Sequence, residues 1–338
     1  MKSKKISLII RTLITIIICY IILARTDLRS LLSTVKGIKP NAILGVSILF
    51  FLSITISSWK WKVILSIHNI HINFTQLLKY YLSASFFNNF LPTSIGGDGY
   101  RIYKTAQYAH SKTKAVLAVV SERVTGLIAL LLLGLLGYLW SSSRYPEISN
   151  ELEKVAIILG LLLSGLIIII LVAFFLNSQE SIRIKIKTAV AWGESITLLN
   201  DYSRNPKKTF MVIVISFIFH FMRFIWYLWL IHSLGSACSF PVVAFIIAVS
   251  DTAATLPVSL NGIGIMDGAF IYFMTKFGSS HETGLAVMMV VRMLMVIFGL
   301  LGGYFYLREK RGSTGATSQA SLSETLQPKL SENDVKII

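Results

Sequence analysis

Three arginines, Arg123, Arg223 and Arg292, lie inside long apolar runs and not at their ends. A lone arginine at the centre of a membrane helix costs at least about 2.5–3.5 kcal/mol, so each of the three needs a polar interior to face. A guanidinium offers a planar fork of donors that matches two oxygens of a phosphate or carboxylate. The chemistry on offer is therefore anion binding, and in apolar surroundings the natural guest is a lipid phosphate. Four acids accompany these cations, Asp98, Glu122, Asp251 and Asp267, and Arg101 follows Asp98 by three places. They could pair with the arginines, take a cationic head group or carry a coupling proton. Glu122 and Arg123 are adjacent, so on a helix they point about 100° apart and do not pair simply with each other. Plainer roles stand beside these. Glu122 or Arg123 could join two helices through a buried ion pair, and Asp98 and Arg101 could be a helix cap and a snorkelling anchor at the cytoplasmic boundary.

The elements that would position these groups are announced by a repeat. Leu91-Pro92-Thr93-Ser94-Ile95-Gly96-Gly97 returns as Leu256-Pro257-Val258-Ser259-Leu260-Asn261-Gly262, and both copies lie in apolar surroundings. Pro and Gly interrupt helices, and irregular backbone at membrane depth is tolerated only when buried in protein or lining a wet cavity. Pro92 and Pro257 set the two breaks. Gly96, Gly97, Gly262 and Gly264 allow close backbone approach to a head group, and Asn261 belongs to the second break. The helix starting after each break has free N–H groups that attract anions. The flanks match as well. Trp59-Lys60-Trp61 precedes the first break and Trp226-Tyr227-Leu228-Trp229 the second, while Gly134-Leu135-Leu136-Gly137-Tyr138 and Gly299-Leu300-Leu301-Gly302-Gly303-Tyr304 follow. The expected unit is span, span, broken re-entrant pair, span, used twice. Three spans per unit invert the second copy, a construction used by secondary transporters.

Composition places the whole chain in a bilayer. Its 338 residues are 54% hydrophobic and 14% charged, with mean hydropathy +0.69. A soluble domain carries about 25% charged residues. Residues 6–23, 42–58, 115–140, 155–176, 210–231 and 284–307 are each near the length of about 20 that a spanning helix needs. The fold expected is all-α and polytopic, in two inverted repeats of about residues 5–140 and 155–308, within a membrane domain of residues 1–311. Residues 312–338, rich in Ser and Thr, read as a disordered cytoplasmic tail. The net charge of +16 is a matter of topology. One set of loops, which includes Lys60, Lys62 and Lys79, holds nineteen Lys and Arg against seven in the other set. The positive-inside rule then puts both termini in the cytoplasm of a cell-membrane protein. Cys19 and Cys238 give neither a disulfide framework nor metal spacing. His68, His71, His110 and His232 fall in or near loops and read as solvated or interfacial, as do Trp59 and Trp61 as belt or packing residues.

Leu-Pro-x-Ser-x-Gly-Gly-Asp-x-x-Arg at residues 91–101, Ser121-Glu122-Arg123, and Leu-Pro-x-Ser-x-Asn-Gly-x-Gly-x-x-Asp at residues 256–267 together resemble the transmembrane domain of lysylphosphatidylglycerol synthases. This flippase-like domain also occurs as a stand-alone membrane protein. The likeness covers about residues 5–310 and implies movement of aminoacylated lipid across the membrane, with no aminoacyl-transferase domain in this chain. Asp267 stands where the resemblance implies Glu, one methylene longer.

Enzyme signatures are lacking. There is no Walker A run, HExxH, CxxC or GxSxG, and Gly262-x-Gly264 has no dinucleotide-binding context. The basic run of Arg183, Lys185 and Lys187 fits anionic head groups better than nucleic acid. The expectation is a lipid transporter without cofactor or metal, acting on a membrane phospholipid or a polyprenyl-phosphate-linked lipid. The alternatives are a membrane-bound head-group transferase, with Glu122, Asp98 or Asp267 as base, and a scaffold for a separate synthase or glycosyltransferase.

Overall fold

The computed structural model describes residues 26–90, 96–109, 111–178, 201–255 and 259–326, with a few positions between 12 and 22; side chains are not described at 173–174, 176–178 and 310–326. Among these residues every regular element is helical. In chain order they are α1 (Leu28–Lys36), α2 (Pro40–Ile67), α3 (Phe74–Phe90), α4 (Gly96–Ala106), α5 (Lys112–Arg144), α6 (Ser149–Ser178), α7 (Pro206–Ser233), α8 (Phe240–Thr255), α9 (Ile265–Lys276) and α10 (His281–Leu326). One-turn 3-10 segments precede α6 and lie between α8 and α9.

Five of the helices are long and apolar enough to cross a bilayer: α2, α5, the run Pro146–Val172 around α6, α7, and α10 as far as Glu309. These match five of the six expected spans. The sixth, residues 6–23, lies largely outside the described residues. Local signals set several starts. Asp27 caps α1 by accepting from the Arg29 N–H at 3.0 Å, and Ser111 caps α5 by accepting from Thr113 at 3.2 Å. Pro40 and Pro206 open α2 and α7, where a missing N–H costs nothing. Exposed Leu161, Ile168, Ile169 and Leu171 on α6 present apolar surface outward, as a lipid-facing helix does. α10 continues as helix to Leu326, into the segment expected to be a tail.

The packing is reciprocal. α3, before the first break, lies along α10, and α8, before the second, lies along α5. Lipid competes equally well for apolar side chains, so such contacts depend on small residues that let backbones approach. The two glycine-rich stretches supply them. A Cβ on Gly302 would overlap the Leu82 carbonyl, one on Gly303 the Phe86 ring, and one on Gly299 the Asn89 side chain. On the other side, a Cβ on Gly134 would overlap Ala248 and one on Gly137 the Pro241 carbonyl. Rising numbers along α3 meet falling numbers along α10, and α5 and α8 do the same, so both pairs are antiparallel. α2 and α7 form a third antiparallel pair. Lys208 donates to the Ser66 carbonyl at 3.0 Å at one end, and Gly45 sits under the Trp229 ring at the other.

Two expectations are corrected here. Lys60, counted among loop cations, is buried inside α2, where Nζ donates to the Glu122 carbonyl at 2.9 Å. The long α2 extends past residue 58 and carries the whole Trp59-Lys60-Trp61 triplet, with Trp61 buried and Trp59 exposed. His68, read as solvated, is buried at the C-terminus of α2 because Asp201 and Tyr202 close over it. Its Nδ1 lies 3.1 Å from Asp201 and its Nε2 3.3 Å from the Tyr202 hydroxyl.

Candidate functional site

The eight charged residues singled out from the sequence come together as four ion pairs. In α4 and α5, Arg123 donates from Nε to Asp98, and Arg101 donates to Glu122. In α9 and α10, Arg292 donates to Asp267 from Nε at 3.1 Å and from Nη2 at 3.0 Å. In α7 and α8, Arg223 forks onto Asp251, with Nη2 3.2 Å from Oδ1 and Nη1 bonded to Oδ2. Adjacent Glu122 and Arg123 do take different partners, as helix geometry requires.

Asp98–Arg123 and Asp267–Arg292 are counterparts. Each aspartate lies in the first turn of the helix that follows a break, each arginine lies in the next span, and both pairs are 25 residues apart. Asp267 also accepts from the Gly264 N–H at 2.8 Å and so caps α9. Gly264 has φ +85° and Gly262 φ +70°, left-handed values that favour glycine. One carboxylate therefore serves both the helix start and the arginine, although it is a methylene shorter than the glutamate implied there. Arg292 Nη2 further approaches the Gly262 carbonyl at 3.3 Å.

The two pairs differ in access. The Arg123 side chain is 57% exposed and that of Arg292 22%. Around the first pair, Arg101 does not snorkel. Its guanidinium is buried between the Trp61 and Tyr81 rings, 4.1 and 4.6 Å from their centroids, and Asp98 Oδ1 lies 3.9 Å away. Burial and stacking hold this arginine against α2 and α3. Tyr81 donates to Glu122 at 3.2 Å, completing that carboxylate's set. On α7, His220 Nε2 lies 2.9 Å from the Gly126 carbonyl of α5.

Gly97 lies against α3. A Cβ there would overlap the Ala84 carbonyl and the Asn88 side chain, so the backbone makes a close approach to α3. Its N–H donates to Asn88 Oδ1 at 2.9 Å, which bridges the break. Gly96 opens the same α4 turn. Gly262 packs on Ala254 in the same manner. Pro92 and Pro257 lie outside the described residues.

One feature of the site escaped the sequence reading. A cavity of about 230 Å³ is lined by Ser85, Asn88, Asn89 and Asn261 on its polar side and by Phe50, Phe298 and their neighbours on the other. It joins the end of α3, just before the first break, to Asn261 of the second. Asn89 Nδ2 donates to the Met295 carbonyl at 2.6 Å, and Asn261 holds φ +48°. Two adjacent amides within Phe86-Phe87-Asn88-Asn89-Phe90 were the available signal, since polar groups in so apolar a run need partners. Among the described residues no cluster of His, Cys, Asp and Glu has the form of a metal site.

A family model described as lysylphosphatidylglycerol synthase TM region matches residues 8–303. The chain is also similar to a protein described as UPF0104 membrane protein MJ1595, from Methanocaldococcus jannaschii. The two are 23% identical over 331 residues, 90% of this chain and 95% of the relative.

Proposed function

Since the chain belongs to the lysylphosphatidylglycerol synthase TM-region family of membrane proteins, we propose that it binds a lipid with an anionic or aminoacylated phosphate head group, or a polyprenyl-phosphate-linked lipid, and carries it between the leaflets of the cell membrane. Both termini lie in the cytoplasm in this reading, and no bond is made or broken. The observation that carries it is the equal placement of Asp98–Arg123 and Asp267–Arg292 beside two matching breaks. The reciprocal, antiparallel packing of α3 on α10 and α8 on α5 supports inverted modules with their site at the shared interface.

The mechanism follows from the pairing. Each arginine is already neutralised, so no naked charge is left in an apolar setting. An arriving phosphate takes over the fork of Arg123, the more exposed of the two, and frees Asp98 to accept the ammonium of an aminoacyl head group. The Asn88–Asn89–Asn261 cavity offers neutral donors and acceptors between the modules, and Arg292 with Asp267 repeats the exchange beyond it. Acyl or isoprenoid chains stay in lipid throughout. The test is translocation of fluorescent or aminoacylated phospholipid in reconstituted vesicles. Arg123→Ala with Arg292→Ala, and the neutral pair Asp98→Asn with Arg123→Gln, should each fall to the protein-free rate. Wild-type translocation by either variant, eluting and melting as a folded protein, removes the mechanism.

A further inference from the structure

We infer that a second groove, between α3 and α10 and apart from the four ion pairs, binds the phosphate of an anionic lipid in the leaflet at that end. This rests on the lipid-handling reading above and adds to it the place where the lipid loads. The groove has a volume of about 520 Å³ and is lined by Gln76, Lys79 and Tyr80 of α3 and by Phe305, Arg308 and Glu309 of α10. Lys79 and Arg308 are exposed and face the same space from opposing helices, and neither has an ion-pair or hydrogen-bond partner among the described residues. Glu309, the acid in the lining, is already occupied. Its Oε1 accepts from Lys104 Nζ at 2.9 Å and from the Tyr80 hydroxyl at 3.4 Å, and its Oε2 from the Tyr100 hydroxyl at 3.5 Å. Among the described residues, two cations therefore remain uncompensated in the groove.

The wall is ordered before any ligand arrives. Gln76 donates at 2.7 Å to both Tyr80 and Tyr108. Next to the cations the surface turns apolar. Leu300, Leu301, Tyr304 and Leu307 stand exposed on α10. From Leu301 to Arg308 is seven residues, about 10 Å along the helix, so a phosphate held by Lys79 and Arg308 leaves its acyl chains against that face. A soluble phosphate would have no use for the apolar strip, which is why a lipid is the assigned source. Lys104 and Tyr100 belong to α4, the helix that carries Asp98 and Arg101, so Glu309 ties the groove to the first ion pair.

The test measures binding without transport. Native mass spectrometry of the detergent-solubilised full chain, titrated with phosphatidylglycerol or phosphatidylcholine, reads the affinity of the first retained lipid. Each cation near a membrane surface contributes about 5-fold, so Lys79→Gln with Arg308→Gln should weaken phosphatidylglycerol by about 25-fold and leave phosphatidylcholine unchanged. Lys79→Arg with Arg308→Lys should bind as wild type; equal loss in both variants would make packing the cause and overturn the assignment. Loss on Arg123→Gln with Arg292→Gln in place of the groove pair would move the site elsewhere and overturn it too. Glycerol phosphate binding as tightly as the lipid would replace a lipid site by a soluble-phosphate site. An unchanged preference in the groove variant sinks the inference whatever translocation does, whereas abolished translocation by Arg123→Ala with Arg292→Ala is read separately in vesicles.

Discussion

Arg292 holds both carboxylate oxygens of Asp267, whereas Arg123 reaches its counterpart Asp98 through Nε and leaves most of its side chain exposed. Two pairs with equal spacing and equal helix positions are thus in unequal states, one sealed and one open. Removing one member of a buried pair costs about 3–5 kcal/mol, because the other charge is left without a partner. Arg123, with its guanidinium open to the outside of the fold, depends less on one carboxylate than Arg292 does.

Asp267→Asn should therefore lower the thermal midpoint in detergent far more than Asp98→Asn. The asparagine at 267 also weakens the cap on α9 that Gly264 completes. Equal midpoints for the two variants would show that the asymmetry in exposure has no energetic counterpart.

Gly302→Ala should loosen α3 from α10. The added methyl meets the Leu82 carbonyl, which is backbone and cannot swing aside, and overpacking of this kind costs about 1–3 kcal/mol. Gly160→Ala is the matched control. Open space surrounds its Cβ position, and alanine is the better helix former by about 1 kcal/mol. Thermal unfolding of the two variants in detergent should move in opposite directions, and a wild-type midpoint for Gly302→Ala would contradict the close approach.

Arg101→Lys keeps the charge opposite Glu122 but loses the planar group between Trp61 and Tyr81. Cation–π contacts with a desolvated guanidinium contribute about 2 kcal/mol, and a lysine does not reproduce a stacked fork. Destabilisation of about that size is expected, together with a changed tryptophan emission. If the variant melts as wild type, the stack contributes nothing.

His68 introduces a pH dependence at the α2 end. Burial pushes its pKa below the ordinary 6.5, and Lys114 pushes in the same direction, against the opposing effect of Asp201. In the folded protein the ring takes up its proton only at lower pH than in the unfolded chain. Its contribution is therefore fully present above about pH 6.5 and is lost as pH falls toward the depressed folded value. The thermal midpoint should drop across that window, and His68→Gln should flatten the slope. An identical slope in the variant would assign the effect to another group.

Membrane residence, five described spans, two helix breaks and the arginines needing polar company were legible in the amino-acid order. Each is a local property: the length of an apolar run, a proline with glycines inside it, a charge where none is cheap. The partners were not legible. Asp98 meets Arg123 and Asp267 meets Arg292 across 25 residues, and Lys60 leaves the loops to hold the Glu122 carbonyl, because helix register brings them together. Between α5 and α8 and between α10 and α3, the register is fixed where Gly134, Gly137 and Gly302 let one backbone sink against another. Asn88 and Asn89 are likewise brought to Asn261 only where α3 and the second break close on one cavity. Sequence alone determined which groups an apolar medium would force to find partners; only the tertiary structure, through the way separate helices pack and turn toward each other, decided which partners those were.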